Sequence, residues 1–137
     1  MAIKSRWTNQ FKTLEANSNF HNKVRDILAS DSFFSGLSCY QEVPVVDLNP
    51  DYPNPQHRFD WYIEELATVV ELHGEQHYRP VSYGTQSYEK TQSDFKAMQR
   101  RDEDKRQAAL AVGLKYVIIP YRQYAKLDGA LLKSLII

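Results

Sequence analysis

Acidic and imidazole side chains interrupt two segments that otherwise have the composition of buried β-strands. Segment 58–63 carries Asp60, and segment 67–73 carries Glu71 and His73. A carboxylate is costly to bury unless a cation or a hydrogen-bond donor accompanies it. Alternate residues of a strand share a face, so Glu71 and His73 should point the same way, and a hairpin would bring Asp60 within reach of Glu71. Two such carboxylates suit Mg²⁺ or Mn²⁺, which points to metal-dependent cleavage of a phosphodiester.

A third candidate, His77, lies where the chain leaves the second of these segments. A neutral imidazole there could activate water for attack on phosphorus, because the ordinary pKa of an imidazole lies close to neutral pH. Simpler interpretations stay open for these residues. Glu71 and His73 could pair with each other or with an arginine at the solvent-exposed end of a strand, and His77 could be a surface or packing histidine.

A long helix, predicted from Ser87 or Ser93 to Val112 and ended by Gly113, supplies further candidates. Spacing by three or four residues places six side chains on its core-facing stripe: Phe95, Met98, Asp102, Lys105, Ala109 and Val112. Asp102 and Lys105 should therefore face the sheet and join the site, although a pairing of the two with each other is the simpler alternative.

Other polar side chains near these elements are candidates for DNA contacts. Arginines on the long helix could bind phosphates, although helix charges usually belong to a solvated face, and aromatic rings could stack on bases. The candidates are Arg100, Arg101, Arg106, Gln76 and Tyr78. With 17 basic and 17 acidic side chains the formal net charge is zero, which permits a DNA or RNA partner without indicating one.

The hydrophobic pattern predicts an α/β fold. The expected elements are a helix at 18–30, strands at 37–47, 58–63 and 67–73, an irregular connection at 79–92, the long helix, a strand at 115–119 and a helix at 127–135. This order describes a three-layer sandwich around a mixed four-stranded sheet. A length of 137 residues fits one domain, with residues 1–17 as an arm or short helix and 18–137 as the core.

The composition excludes several classes of protein. No segment has the roughly 18 apolar residues of a membrane helix and the amino terminus lacks a secretory signal, so we expect a cytoplasmic protein without a membrane partner. The single cysteine, Cys39, excludes an intrachain disulfide and a multi-cysteine metal site. It lies in a predicted strand, where a buried structural thiol is expected.

Together these residues resemble the PD-(D/E)XK nuclease superfamily, and within it the branch of very-short-patch-repair endonucleases and phage-associated EDxHD homing endonucleases. Asp60 resembles the first strand acid, and Glu71-Leu72-His73 resembles the (D/E)XK element with histidine in place of lysine. His77, the helical Asp102 and a closing strand follow in the order of that branch. The resemblance covers roughly residues 58 to 121.

The resemblance implies a restriction-endonuclease-like fold and Mg²⁺-dependent hydrolysis of DNA, with Mn²⁺ as a substitute. It implies that Asp60 is a metal ligand and Glu71 a second one, that His77 is the general base, and that Asp102 orients the histidine or a water. His73 would stand near the place of the missing lysine, where it could polarise water or stabilise phosphate.

This chain departs from the branch at the first helix, where a glutamate is usual. Here His21 lies near the expected place, and Glu15 lies upstream of it. The branch's repair enzymes also carry a zinc with cysteine ligands, which Cys39 alone cannot supply, so mismatch-directed repair is not implied. We expect a DNA endonuclease of phage or mobile-element type. The alternatives are a structure-selective resolvase or nickase that works as a homodimer, and a catalytically inert nuclease-like module that binds DNA or a protein.

Overall fold

The computed structural model describes Trp7, residues 18–82 and residues 84–137. Its helices and strands are α1 (Asn19–Ser30), β1 (Cys39–Pro44), α2 (Val45–Leu48), β2 (Arg58–Ile63), β3 (Thr68–His73), α3 (Tyr88–Ala111), β4 (Lys115–Pro120) and α4 (Gly129–Ile136). Apart from the short α2, this is the predicted order of helix, three strands, helix, strand and helix. The arm predicted for residues 1–17 lies outside the described residues, Trp7 excepted.

The four strands form one mixed sheet in the order β1-β2-β3-β4. β1 pairs with β2 and β2 with β3 in antiparallel fashion, whereas β3 and β4 are parallel. The turn Glu64–Leu66 joins β2 and β3 as the predicted hairpin. Two parallel strands cannot be joined by a tight turn, and α3 forms the long crossover that they require.

Helices cover both faces of this sheet. One face packs against α1 and α4, and the large side chains of that cluster include Leu28, Trp61, Ile63, Ile119 and Leu132. The opposite face packs against α2 and α3, in a cluster formed by Val45, Tyr52, Phe59, Val69, Ala108 and Ala109. The predicted three-layer α/β sandwich around a mixed four-stranded sheet is therefore confirmed. In the described part of the chain, no helix combines the length and apolar character needed to cross a membrane.

Both ends of α3 lie close to their predicted positions. The Ser87 hydroxyl accepts a hydrogen bond from the Lys90 amide, and Gly113 follows the helix with a φ of 79°. The core-facing stripe is one turn shorter than predicted, because Val112 already has non-helical angles and is 42% exposed. The stripe is therefore buried at Lys105 and Ala109 but not at its last position.

Two further element boundaries differ from the sequence prediction. The first strand stops at Pro44 rather than at residue 47, and α2 follows it at once. Burial of Val45 against α3 overrides the strand preference of β-branched residues, and Asn49 N donates to Val45 O to close the turn. The last helix begins at Gly129 because the Asp128 side chain accepts from Leu131 N and caps it there.

The single cysteine behaves as a structural thiol, as predicted. Cys39 is fully buried in the cluster beneath α1, and its Sγ lies 3.9 Å from Phe34 O. Burial, with a smaller effect of Glu65, raises the pKa of Cys39 to about 12. The thiol therefore has no thiolate character at neutral pH.

Candidate functional site

Asp60 lies at a break in the hydrogen-bonded ladder of the sheet. The register pairs Trp61 with Gln41 of β1 and with Val70 of β3. Among the described residues, Asp60 itself has no register partner on either neighbouring strand. Its side chain replaces the missing ladder contact, since Oδ2 accepts a hydrogen bond from Leu72 N at 2.7 Å. The Asp60 carboxylate thus lies where the backbone pairing of β2 with its neighbouring strands is interrupted.

A buried ion pair lies next to this carboxylate. Lys105 Nζ of α3 is 2.5 Å from Glu71 Oε1 of β3, and the two side chains are 9% and 5% exposed. Asp60 is close enough to Glu71 for its charge to act on the Glu71 carboxylate. Burial, followed by the charge of Asp60, raises the pKa of Glu71 well above its ordinary value, and Lys105 opposes that rise. The predicted approach of Asp60 to Glu71 and the inward placement of Lys105 are both found.

His73 and His77 form a stacked pair of imidazoles against Asp102. Their ring centroids are 3.9 Å apart and their planes are inclined by 12°. His77 Nδ1 donates to Asp102 Oδ2 at 2.7 Å, and His73 Nε2 lies 4.0 Å from the same oxygen. Since a carboxylate only accepts, the proton of a neutral His77 is on Nδ1, and its Nε2 carries the free lone pair.

The electrostatics of this group favour a neutral ring beside an ionised acid. Burial, followed by the neighbouring His77, lowers the pKa of His73 to about 4. Burial also acts to raise the pKa of Asp102, but the hydrogen bond and charge of His77, followed by the charge of His73, outweigh it and lower that pKa. Asp102 is therefore ionised at neutral pH and pairs with His77, not with Lys105 as the simpler helix interpretation allowed.

This group has three potential ligand atoms within 4.8 Å of one another. A metal ion lies in the plane of each imidazole that binds it, and two nearly parallel, stacked planes share no such point. The stacked arrangement of His73 and His77 therefore suits proton transfer better than joint metal binding.

A second group with ligand atoms within 4.8 Å consists of His21, Glu42 and Asp60. His21 Nδ1 lies 4.0 Å from Glu42 Oε1. Burial, followed by the charge of Asp60, raises the pKa of Glu42. Of the two candidates for the first-helix position, His21 thus lies beside Asp60, whereas Glu15 lies outside the described residues.

Glu42 is the site residue that the sequence prediction missed. It has a φ of 55°, in the left-handed region that non-glycine residues seldom adopt and that is enriched at functional sites. Like Asp60, it has no register partner in the described sheet. A glutamate between Gln41 and Val43 looks like an ordinary outward position of a strand, so no local sequence signal identifies it.

The predicted metal pair of Asp60 and Glu71 is therefore only partly matched by the geometry. Asp60 belongs to a compact group of potential ligands, but its companions there are His21 and Glu42. Glu71 is instead held by the ammonium group of Lys105. A cation at Glu71 would face that positive charge at short range, which is unfavourable in a buried site.

The arginines predicted to contact DNA differ in their surroundings. Arg100 and Arg101 line an open cavity of about 560 Å³ beside α3. Arg106 is occupied by an ion pair with Glu103 at 3.0 Å, which makes it the weakest of the three candidates.

The two candidates that follow β3 lie at one end of the sheet. Tyr78 is 45% exposed, and its ring lies 5.9 Å from that of Tyr121. Gln76 lines a cavity of about 460 Å³ together with Tyr121 and Tyr124. Gln76 is half-buried within the turn Glu75–His77, and the exposed Tyr78 follows that turn directly.

Comparisons of this chain with models of protein families, with curated proteins and with solved structures found no match. What the site can do follows from its own groups. It combines an oriented imidazole with a free Nε2, a buried lysine, and carboxylates that converge on a break in the sheet. These groups can accept a proton, stabilise negative charge and bind a cation.

Proposed function

We propose that this protein is a metal-dependent DNA endonuclease that hydrolyses phosphodiester bonds. The proposal is supported above all by the Glu71–Lys105 and His77–Asp102 pairs on the α3 face of the sheet, together with Asp60, which accepts from the backbone of the same strand at Leu72 N. Asp102 and Lys105 are three residues apart on α3, so a single face of this helix meets both parts of the site. A structural role alone does not require so many ionisable groups in one place, because each is costly to bury.

His77 acts as the general base in this proposal. The hydrogen bond to Asp102 fixes the tautomer and the orientation of the ring, and the free Nε2 takes a proton from the attacking water. With its side chain 13% exposed, His77 is open enough to meet a water and enclosed enough to stay in place. The stacked His73 stays neutral at pH 7 and does not compete for positive charge.

Lys105 offers a positive charge close to the acids. Its ammonium group neutralises Glu71 in the free protein and can stabilise negative charge that develops on a phosphate. This is the role that the nuclease resemblance assigns to a strand lysine, here supplied from α3.

The carboxylates at the break fit a divalent cation. Asp60 is common to the sequence-derived metal pair and to the compact group in the structure, and carboxylate oxygens are suitable ligands for Mg²⁺ or Mn²⁺. When bound, such an ion would supply charge stabilisation at phosphorus and a lowered pKa for its water.

DNA would reach the site along the exposed part of α3 and the end of the sheet. Arg100 and Arg101 provide positive charge on one side, and Tyr78 and Gln76 provide stacking and hydrogen-bonding groups on the other. The zero net charge of the chain is consistent with this distribution, since carboxylates that hold a cation do not repel phosphate.

The test is cleavage of plasmid, flap and junction DNA by the purified protein with Mg²⁺ or Mn²⁺. We expect Asp60→Asn and His77→Ala each to lower the rate by about 100- to 10,000-fold. The matched control is Asp26→Asn, because the Asp26 side chain is 70% exposed on α1 and bonds only to Arg25 in the described structure. It should cleave like the unchanged protein.

The outcomes separate the proposal from its alternatives. Cleavage that survives both site substitutions would show that the activity resides elsewhere. DNA binding without cleavage at any cation concentration would instead support the inert nuclease-like module. Paired incisions of a junction by a species of dimeric mass would support the resolvase.

A further inference from the structure

We infer that the cation site consists of His21, Glu42 and Asp60, and that its imidazole ligand selects a first-row transition-metal dication over Mg²⁺. This inference extends the proposed function, and a catalytic role for the cation rests on that function. The metal site itself is a separate claim that binding measurements can test without DNA.

The three donors come from three different elements that meet at the break in the sheet. His21 lies on α1, Glu42 on β1 and Asp60 on β2, and their ligand atoms lie within 4.8 Å of one another. Around an ion with bonds of about 2.0–2.2 Å, donor atoms stand about 3–3.5 Å apart. A movement of about 1 Å by flexible carboxylates would therefore bring the group to bonding distance.

The imidazole of His21 is oriented as a ligand. Its Nε2 lies 3.0 Å from Gln41 Oε1, and because an amide oxygen only accepts, Nε2 carries the proton. Nδ1 then has the free lone pair, and it is the atom that faces Glu42 at 4.0 Å. Metal-binding histidines commonly donate their other N–H to an oxygen acceptor in this way, which fixes the tautomer and the ring.

Burial and stacking hold the His21 ring, and with it this lone pair, in a fixed position. His21 is only 4% exposed, and its ring stacks on Trp61 with centroids 5.3 Å apart and planes inclined by 25°. The described residues provide no hydrogen bond to Nδ1, since the Glu42 oxygen is too distant and offers no proton when ionised. A cation between Nδ1 and the two carboxylates would use this lone pair, and the packing of the ring on Trp61 holds the nitrogen in place for it.

The neighbouring acid pair is less suitable. Glu71 Oε1 is held by Lys105 Nζ at 2.5 Å, and Asp60 Oδ2 accepts from Leu72 N. A cation between Asp60 and Glu71 would have to displace a buried ammonium group or lie beside it. Binding at His21, Glu42 and Asp60 leaves the Glu71–Lys105 pair intact.

The donor set determines the preference among cations. Two carboxylates alone suit Mg²⁺, which keeps several waters and seldom takes nitrogen ligands. An imidazole nitrogen favours ions further along the first transition row, and affinity for a given mixed site rises from Mn²⁺ towards Zn²⁺. We therefore expect Mn²⁺ and Zn²⁺ to bind more tightly than Mg²⁺.

Calorimetric titration of the full chain with Mn²⁺, Zn²⁺ and Mg²⁺, in the absence of DNA, tests the inference, and the electron paramagnetic resonance of Mn²⁺ provides a second readout. We expect Mn²⁺ to bind at least about tenfold more tightly than Mg²⁺. Glu42→Gln and His21→Gln should each weaken Mn²⁺ binding by about tenfold or more, whereas Glu71→Gln should change it by less than about threefold. The control His57→Gln changes an imidazole that bonds instead to Tyr52 and Asn54, and it should bind Mn²⁺ normally.

Two results would overturn the inference: equal affinity for Mg²⁺ and Mn²⁺, or binding that is lost in Glu71→Gln but retained in Glu42→Gln. If His21→Gln fails to fold, Glu42→Gln and the nitrogen hyperfine coupling of bound Mn²⁺ still decide the matter. Tight, Glu42-dependent Mn²⁺ binding without DNA cleavage would contradict only the proposed function. DNA cleavage by a protein whose metal depends on Glu71 would contradict only the present inference.

Discussion

Replacement of Lys105 by methionine would leave Glu71 buried without its counter-ion. The two charged atoms are 2.5 Å apart, and both side chains are less than one-tenth exposed, so solvent screens their interaction weakly. Removal of one partner from a buried ion pair costs about 3–5 kcal/mol, whereas methionine retains most of the apolar volume of the lysine stem. With urea slopes of about 1–3 kcal/mol per molar, the unfolding midpoint should fall by roughly 1–5 M.

The size of this loss should depend on pH. The pKa of Glu71 is raised above its ordinary value of 4.5, first by burial and then by Asp60, and Lys105 limits that rise. An acid with a raised pKa in the folded state contributes stability below its unfolded value, and this stability is lost as pH rises through the folded pKa. Without Lys105 the pKa of Glu71 should rise further. K105M should therefore lower the free energy of unfolding by about 1 kcal/mol at pH 5 and by the full amount, about 3–5 kcal/mol, at pH 8.

Urea unfolding at both pH values, followed by circular dichroism, measures the effect. The double variant Glu71→Gln with Lys105→Met should recover at least about half of the loss at pH 8, because no buried charge then remains unpaired. Lys96→Met, at an exposed position of the same helix, should change the free energy of unfolding by no more than about 0.5 kcal/mol. A cost for K105M that is equal at pH 5 and pH 8, or no larger than that of Lys96→Met, would refute the ion-pair reasoning.

Three further predictions concern groups whose environment is unusual. The His73 ring should titrate by NMR with a midpoint of about 4 against an ordinary 6.5, and stability should fall as pH drops between these values because the unfolded chain takes the proton first; a midpoint above 6 would contradict its burial. Cys39, with a pKa raised to about 12, should resist alkylation at pH 8 in the folded protein and react in urea; rapid labelling of the native chain would show an accessible thiol. Glu42→Gly should raise the free energy of unfolding by about 0.5–1 kcal/mol in urea titrations, because relief of the left-handed φ outweighs the flexibility of glycine. A loss of stability would instead mean that the Glu42 carboxylate stabilises the fold by more than its backbone conformation destabilises it.

Most of the correct fold prediction came from the periodic placement of side chains within single strands and helices. Alternation in β3 correctly placed Glu71 and His73 on the face that meets α3, and the 3.6-residue repeat placed Lys105 inward. Both rules depend only on backbone geometry within one element, so neighbouring elements do not alter them. Errors appeared at element ends, where Val45 and Val112 lie outside the elements predicted for them because of local angles and packing that residue types alone do not fix.

The partners across elements followed no such rule. Alternation would put Phe59 and Trp61 on one face of β2, yet they pack in opposite clusters, because the ladder breaks at Asp60. At the same break, Glu42 has a left-handed conformation and lies beside His21. The residue pattern of β1 predicts neither feature.

The sequence by itself determined the order of the elements, the face on which each ionisable group lies, and the presence of acids and imidazoles within buried segments. Only the tertiary structure decided which of these groups touch. It pairs Lys105 with Glu71 and His77 with Asp102, and it groups Asp60 with His21 and Glu42. The physical reason is that such contacts depend on how far α1 and α3 stand from the sheet and on where two strands separate. Those distances are set by the packing of the whole domain rather than by the spacing of residues along one element.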